Sequence, residues 1–259
     1  EGVAHANTLG ISVVVTDHHL PGRELPAAAA IVNPNQAGCE FPSKSLAGVG
    51  VAFYLLSVLR TELRSRDWFA HHPEINLASF LDLVALGTVA DVVPMDQNNR
   101  RLVEEGIRRI RGGHCRPGLK AMLLAAGVNP QHLTTRDLAF SIAPRLNAAG
   151  RLQDMSIGIE CLLADEVRAV ELAEHLDALN NERKEIETDM RDIALAHLKQ
   201  LSLDEETAAG LCFYRPDWHQ GVVGIVASRI KEKSHRPVIA LAPAGDGELK
   251  GSGRSVAGF

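Results

Sequence analysis

The stretch ISVVVTDHHLPG, residues 11–22, decides the fold of the chain. Ile11–Thr16 is rich in β-branched residues, which favour a strand, and Pro21-Gly22 ends it. Because the run is almost continuously apolar, we expect both faces of this strand to be covered, as in the parallel sheets of α/β proteins. The tripeptide Asp17-His18-His19 then lies at the carboxyl end of a strand, where open α/β sheets bind their ligands.

Outward from this strand, the pattern predicts further helices and strands. Helices are expected at Leu46–Leu63 (buried), at Leu77–Leu86 with Gly87 as its C-cap, at Arg100–Arg111 and from Asp165 to about Gln200. Further strands are expected at Ala27–Val32 and, as a β-α-β unit with an added hairpin strand, at Gly210–Arg215, Pro237–Ala242 and Glu248–Ser255 around a helix at Gly221–Lys233.

These elements predict an α/β protein in which a parallel-sheet domain is joined by a long helix to a smaller α/β domain. We expect the first domain at residues 1–160, the connecting helix at 161–203 and the second domain at 204–259. From Asp165 to about Gln200 there is no Pro or Gly, and a helix of that length spans about 50 Å, enough to bridge two domains. Its apolar positions recur every three or four residues, except that Arg183 occupies one of them.

Composition restricts the class of protein and its compartment. The 259 residues are 46% hydrophobic and 23% charged, with a net charge of −5, which indicates a globular chain and excludes disordered and collagen-like classes. No apolar run approaches the roughly 20 residues of a membrane span, and no secretory leader is visible. The four cysteines are too widely spaced for a metal knuckle or a dense disulfide framework, so we expect reduced, buried thiols and a cytoplasmic protein without a membrane partner.

Asp17, His18, His19 and Asp91 are the candidates for a metal site. An imidazole and a carboxylate at a strand end can hold a divalent ion, and a second imidazole can contact an anionic substrate. Consecutive side chains point in different directions, so His18 and His19 should not share one task. Asp91 is a single acid in GTVADVVP, residues 87–94, and we expect it to lie off the free surface, held by a cation or by strong donors. Metal ligation, an N-cap and a buried salt bridge remain open for Asp91, as does a ligand-free polar turn for the tripeptide.

A second group of residues suits phosphate. Arg145 and Arg151 flank a run of small residues, and Ser252 and Arg254 lie in GSGRS. Guanidinium groups bind phosphate bidentately, although these arginines can equally pair with acids. His219 leads into a predicted helix whose free N–H groups suit an anion, or it is a simple helix-entry residue.

The segment Arg100–Lys120 carries seven Lys and Arg against two Glu, a local charge of +5 in an acidic chain. Such a segment can contact a DNA backbone in a salt-sensitive way, and the alternative is a solvated basic helix face. Aromatic residues make up only 4% of the chain, so few platforms for base stacking exist and nucleic-acid binding should be dominated by phosphate contacts.

Taken together, these segments resemble the DHH phosphoesterase superfamily, in particular its RecJ-type 5′→3′ exonucleases specific for single-stranded DNA. The resemblance runs in order along the chain and is carried by VVVTDHHLPG, ALGTVADVVPM, APRLNAAGR at 143–151, DALNNERKEIE at 177–187, WHQGVVGIVASRIKE at 218–232, RPVIAL at 236–241 and GSGRS at 251–255. It implies a DHH phosphoesterase domain, a connecting helix and a DHH-associated domain, with the substrate in a cleft between the domains.

The resemblance also implies roles for individual residues. His18 and Asp91 would be metal ligands, Asp17 would orient the neighbouring site, and His19 would contact the scissile phosphate. Two Mn²⁺ or Mg²⁺ ions would serve as cofactors, activating water and stabilising the leaving oxygen. The phosphate-binding group, which would hold the 5′ end of the strand, comprises Arg145, Arg151, His219, Ser252 and Arg254.

The resemblance further implies that this chain is a fragment. The family's first two acidic motifs precede the DHH strand and a glycine-histidine motif follows GSGRS, and neither lies in this sequence. We therefore expect the two-metal site to be incomplete here and the activity, in DNA recombination and repair, to belong to the parent protein. The alternatives are a phosphodiesterase for short oligonucleotides or cyclic dinucleotides and a non-catalytic DNA-binding scaffold. Besides single-stranded DNA, a helicase and a single-strand-binding protein are candidate partners.

Overall fold

The computed structural model describes residues 1–200 and 209–258. Helices are combined with two pairs of parallel strands, so the predicted α/β class is confirmed. Contacts divide the chain into two compact units, Glu1–Ala143 and Pro144–Phe259. The domain boundaries expected at residues 160 and 203 stay a prediction, and residues 201–208 and 259 lie outside the described part.

The first unit is mainly helical around a small parallel sheet. Its helices and strands are α1 (Gly2–Thr8), β1 (Val14–Thr16), β2 (Ala30–Val32), α2 (Gly48–Ser65), α3 (Leu81–Ala90), α4 (Gln97–Arg111), α5 (Pro117–Ala125) and α6 (Thr135–Asp137). β1 and β2 pair in parallel, with Val14 opposite Ala30 and Thr16 opposite Val32. A 3-10 turn, Leu77–Phe80, leads into α3, and a wider π turn, Leu138–Ile142, follows α6.

The strand at the start of the sequence is shorter and less covered than predicted. β1 begins at Val14 rather than Ile11, and Val14 is 59% exposed. The expectation that both faces are buried is wrong for the described residues, because Val14 and Thr16, which share one face of β1, are exposed. The continuous apolar run therefore predicted the strand correctly, but it led us to expect more burial of the strand than the structure shows.

The core of the first unit forms around α3, which is buried along almost its whole length. The prediction that Gly87 is the C-cap of this helix is wrong, because Gly87 lies inside the helix. A Cβ at Gly87 would stand 2.7 Å from Cγ1 of Val49 on α2. Gly106 of α4 approaches still more closely, because its Cβ would lie 2.2 Å from the Leu81 carbonyl oxygen. Both glycines thus permit close helix packing rather than a turn.

Helix α2 is also less buried than predicted. Its expected span, Leu46–Leu63, becomes Gly48–Ser65, and Gly50 and Val51 are its buried residues. Val58 is 67% exposed. The helical periodicity was correct, but only the amino-terminal part of the helix packs into the core cluster with Leu46, Leu81 and Leu102.

The second unit contains the long helix and the β-α-β unit. Its elements are α7 (Ala143–Leu152, beginning at the boundary), α8 (Ser156–Leu163), α9 (Glu166–Gln200), β3 (Leu211–Tyr214), α10 (Val223–Ser234), β4 (Val238–Gly245) and β5 (Glu248–Arg254). β3 and β4 pair in parallel around α10, and β4 and β5 form the antiparallel hairpin. Helix α9 packs against α8 and α10. Its role as a connection between domains stays a prediction.

The cysteines are free, as expected, but only Cys161 is fully buried, and Cys212 is exposed. Cys212 faces outward because side chains alternate along β3, where Leu211 and Phe213 take the inner positions. Among the described residues, none of the helices is long and apolar enough to cross a lipid bilayer.

Candidate functional site

Asp17 continues the strand direction beyond β1 and organises the two histidines. Its backbone N–H donates to the Val32 carbonyl at 3.0 Å, so it still pairs with β2. Its Oδ1 accepts hydrogen bonds from the backbone N–H of His18 at 2.7 Å and of His19 at 3.2 Å, and contacts Nδ1 of His19 at 2.7 Å. Together these hydrogen bonds, that of the His19 ring foremost, lower the pKa of Asp17 despite some desolvation. Asp17 is therefore held as a carboxylate that orients His19.

His18 is turned inward and meets Asp91. His18 Nε2 lies 3.3 Å from Asp91 Oδ2, and the side chain of His18 is 18% exposed. The first residue of α2 packs against the ring, since a Cβ on Gly48 would lie 3.5 Å from Cδ2 of His18. The structure thus brings together the two residues for which metal ligation was predicted. His19 is 76% exposed, but its ring centroid lies 4.4 Å from that of His18, so the two side chains differ in burial rather than in direction, and their separate tasks stay a prediction.

Asp91 lies just after α3, in a strained turn. Its N–H donates to the Gly87 carbonyl at 3.0 Å and ends the helix, whereas the N-cap of α4 is Asp96, so an N-cap role for Asp91 is wrong. The side chain of Asp91 is 42% exposed, so the expectation that it lies off the free surface is wrong. The next residue, Val92, adopts φ +57° and is 86% exposed. A β-branched residue in the left-handed region is strained, and such strain clusters at functional turns.

Two asparagines that the sequence analysis did not select hold the strand end in place. Asn33 Nδ2 donates to the His19 carbonyl at 2.9 Å, and Asn35 Nδ2 donates to the His18 carbonyl at 2.7 Å. The side-chain oxygen of Asn33 also accepts the N–H of Asn35 at 2.9 Å. The only sequence clue to them is the Asn-Pro-Asn turn directly after β2.

His18 and Asp91 supply one imidazole nitrogen and one carboxylate oxygen, a donor set that suits Mn²⁺ and Mg²⁺. Two ligand atoms at right angles on an ion about 2.1 Å away are about 3 Å apart, close to the 3.3 Å found here. Within residues 1–200 and 209–258, no group of three or more His, Cys, Asp or Glu residues converges on one ion position. The described residues of this chain therefore offer two ligands to a metal ion, His18 and Asp91, and not a whole coordination shell.

The predicted phosphate-binding residues lie in the second unit, where three of them come together around the start of α10. Nη1 of Arg254 donates to Ser252 Oγ at 2.7 Å, and its Nε donates to Ser228 Oγ at 3.1 Å. Gly224 lies beside them, since its Cβ would stand 3.1 Å from both the Arg254 Nη2 and the Ser252 Oγ. Burial, and then the charges of Arg183 and Arg254, lower the pKa of Arg151. An anion would relieve this repulsion between cations.

Arg151 is held at this place by a close backbone approach. Its Nη1 donates to the Gly221 carbonyl at 3.2 Å, and a Cβ on Gly221 would lie 2.1 Å from the Arg151 carbonyl oxygen. Nδ1 of His219 accepts the Gly221 N–H at 3.1 Å, which favours the interpretation of His219 as a helix-entry residue. With Nδ1 used in this way, Nε2 is the ring nitrogen that could contact a ligand. We call Arg151, Arg183, Arg229, Ser252 and Arg254 the arginine cluster.

Arg145 differs from the other predicted phosphate ligands because it is paired with a carboxylate. Its guanidinium pairs with Asp177 of α9 through Nη2 at 2.6 Å and Nε at 2.8 Å, and its side chain is 11% exposed. This geometry matches the alternative in which the arginine pairs with an acid.

Sequence reasoning missed Arg183 and Arg229, which share the carboxylate of Glu187. Arg183 Nη1 lies 2.8 Å from Oε2 of Glu187, and Arg229 Nε lies 3.3 Å from Oε1. Arg183 had left a trace in the sequence as the one charged residue in the apolar stripe of α9, whereas Arg229 had left none.

Family models match both ends of this chain. The DHH family, N-terminal domain, matches residues 1–88, which include Asp17, His18 and His19, and the DHHA1 domain matches residues 207–259, which include His219, Ser252 and Arg254. The chain is 62% identical over its whole length to the single-stranded-DNA-specific exonuclease RecJ of Salmonella typhimurium and 61% identical to that of Escherichia coli. It spans 45% of the length of each of these relatives.

Solved structures agree with this relationship. A crystal structure of exonuclease RecJ bound to manganese matches 99% of this chain and 60% of its own, with a TM-score of 0.82 and 35% identity. RecJ from Thermus thermophilus in complex with Mg²⁺ matches 96% of this chain and 35% of its own, with a TM-score of 0.76 and 35% identity. The two matched domains, in this order and with this identity along the whole chain, show that it belongs to the DHH family, among the RecJ-type members that carry a DHHA1 domain.

Proposed function

We propose that this chain is part of a divalent-metal-dependent exonuclease that hydrolyses phosphodiester bonds of single-stranded DNA. The observation that carries the proposal is the approach of His18 Nε2 to Asp91 Oδ2, 3.3 Å apart beside a strand end, in a chain so similar to single-stranded-DNA-specific exonucleases. Relatives solved with Mn²⁺ and Mg²⁺ support the same ions as cofactors here.

In this proposal the residues at the strand end divide the work. His18 and Asp91 would hold the metal, which would activate water and neutralise charge on the phosphate. Asp17 binds Nδ1 of His19, so Nε2 is the ring nitrogen left to face the scissile phosphate, to which it would donate when both ring nitrogens carry a proton. Asn33 and Asn35 fix the backbone of the two histidines, which limits the freedom that binding would otherwise remove.

The arginine cluster is the proposed binding place for a terminal phosphate of the strand. Arg151, Ser252 and Arg254 would contact the phosphate oxygens, with His219 at the edge of the group. Arg145, tied to Asp177, would support Arg151 from the same helix, α7. Burial first, and the charges of Arg183 and Arg254 second, lower the pKa of Arg151; the gathering of these three guanidinium groups supports the assignment, because an anionic ligand would offset their repulsion.

The finer parts of the proposal follow the family resemblance. They are cleavage in the 5′→3′ direction, a role in recombination and repair, a cytoplasmic location, and cooperation with a helicase and a single-strand-binding protein. The activity is assigned to the whole protein, because this chain spans 45% of its curated relatives.

The test is release of mononucleotides from single strands labelled at the 5′ or the 3′ end, with Mn²⁺, by the full-length gene product and its His18→Ala variant. We expect early release of the 5′ label from long strands, lost in the variant. A preference for dinucleotides or cyclic dinucleotides would favour the small-substrate phosphodiesterase instead. Binding of strands without any metal-dependent cleavage would overturn the nuclease and favour a scaffold.

A further inference from the structure

A groove of about 770 Å³ runs along one side of α4 in the first unit. Arg100, Arg108 and Arg111 line it from the helix, and Thr134 and Thr135 line it from the start of α6. We call it the α4 groove. All of its lining residues belong to the first unit, and none is part of the His18 site or of the arginine cluster.

The two outer arginines of the α4 groove are fixed by the backbone. Nε of Arg100 donates to the Met95 carbonyl at 2.8 Å, and Nε of Arg111 donates to the Leu133 carbonyl at 2.8 Å. Carbonyl oxygens hold a guanidinium in place without cancelling its charge. Neither arginine forms an ion pair with a carboxylate of the described residues, so both positive charges remain available to a ligand.

The remaining charges of the groove leave it positive. Arg108 is paired with Glu105 at 2.6 Å and contributes less. Glu104 is the acid in the lining, against three arginines. Thr134 and Asp137 form a capping box that fixes the facing wall at the start of α6.

The spacing of the arginines points to an extended ligand. Arg100 and Arg111 are eleven residues apart, which is about three turns, so they lie on nearly the same side of α4, with their Cα atoms roughly 16 Å apart. One phosphate cannot reach both guanidinium groups. A chain of phosphates can, and the groove between the arginines is closed at its base by the buried side chains of Val103 and Ile107.

We propose that the α4 groove binds the phosphodiester backbone of a single nucleic-acid strand. The guanidinium group favours phosphate because it offers paired N–H donors, and backbone-held arginines lose less freedom on binding than mobile ones. The inference rests on the proposed function in one respect, because the strand would be the substrate of the nuclease, bound by residues that belong to neither candidate site. For the basic segment Arg100–Lys120, the proposal selects DNA contact over a solvated helix face and assigns that contact to one side of α4.

The proposal is tested by fluorescence anisotropy of a labelled oligo-dT 30-mer binding to this chain in EDTA, over a range of salt concentrations. The variant Arg100→Gln/Arg111→Gln is expected to bind roughly 10- to 30-fold more weakly near 0.1 M salt, with a salt slope smaller by about 1.4. The control Arg23→Gln/Arg101→Gln removes the same charge from exposed positions outside the groove and is expected to stay within twofold. Equal losses in both variants, or none in either, would overturn the proposal.

Hydrogen exchange of the wild-type chain guards against a variant that fails to fold. Bound oligo-dT should slow exchange at residues 95–111 and 133–137, and unchanged exchange there would contradict the proposal. Displacement of oligo-dT by polyglutamate of equal charge would indicate an acidic peptide site instead. Because EDTA removes any metal, a failure of the nuclease assay leaves this result untouched, and the reverse also holds.

Discussion

The strand-end site and the arginine cluster differ in the atoms that they present. The first, formed by Asp17, His18, His19 and Asp91, offers carboxylate oxygens and imidazole nitrogens, whereas the second offers guanidinium and hydroxyl donors. A cation suits the former and an anion the latter. Metal-dependent phosphodiester hydrolysis requires both, and in this chain each unit carries one of the two chemistries.

The two regions are also held in different ways. Hydrogen bonds over a few residues fix the strand end, together with the turn after α3 that places Asp91. The arginine cluster depends on the carboxylate of Glu187 and on the backbone approach of α7 to Gly221. The first region should therefore respond to changes in α3, and the second to changes in packing and in salt.

The largest effect is expected for Asp82→Ala, at the start of α3. The Asp82 side chain is 2% exposed and accepts the N–H of Arg116 at 3.0 Å, with the Arg116 guanidinium 3.4 Å away. Breaking a buried pair by removing one partner costs about 3–5 kcal/mol, so α3, which carries Asp91 at its other end, should loosen. Urea unfolding and hydrogen exchange should show the loss in the first unit. Asp189→Ala, at an exposed position of α9, is the control, and equal destabilisation by both variants would contradict this account.

Arg254→Gln should separate the two chemistries. Losing charge-assisted hydrogen bonds, worth about 1.5–3 kcal/mol, should weaken binding of a 5′-phosphorylated oligonucleotide roughly 10- to 100-fold, without changing Mn²⁺ affinity. Calorimetry with each ligand measures both effects. Lys250→Gln removes an exposed charge from the same strand, and if it weakened binding as much, the arginine cluster would not be a specific phosphate site.

Gly221→Ala should disturb the arginine cluster by packing alone. The new methyl group would overlap the Arg151 carbonyl, and overpacking of this kind costs about 1–3 kcal/mol. Thermal unfolding should show the change. Gly253→Ala is the matched control, since its Cβ would meet only Cγ1 of Ile239 at 3.9 Å. A fully stable Gly221→Ala would show that α7 does not approach Gly221 this closely.

The smallest effects concern thiol reactivity, which gives each unit its own probe. Desolvation, and then the charge of Asp82, raise the pKa of Cys115 to about 12, and desolvation raises that of Cys161 to about 11. Because the thiolate is the nucleophile, both should resist Ellman's reagent at pH 8 until their unit opens, whereas the exposed Cys212 reacts at once. Rapid labelling of Cys115 in the folded chain at pH 8 would contradict the raised pKa of its thiol.

The sequence predicted the elements of the fold better than their burial. Periodicity located α9, the β-α-β unit and the hairpin, because these depend on local pattern. It misjudged Val14, Val58 and Gly87, whose surroundings are set by which elements pack against them. For the sites, Asp91 was selected as an isolated acid, but its approach to His18 joins residues 73 positions apart and is not visible in local spacing. Arg229 and Asn33 were missed for the same reason.

The most direct test of the central claim is calorimetric titration of Mn²⁺ into this chain and into His18→Ala, Asp91→Asn and, as a control at an exposed histidine, His114→Ala. Because His18 and Asp91 are proposed as ligands of one ion, each of the first two variants should lower Mn²⁺ affinity by more than about 10-fold, and His114→Ala should leave it unchanged. Equal Mn²⁺ affinity in all four proteins would show that the pair beside the strand end does not hold the metal.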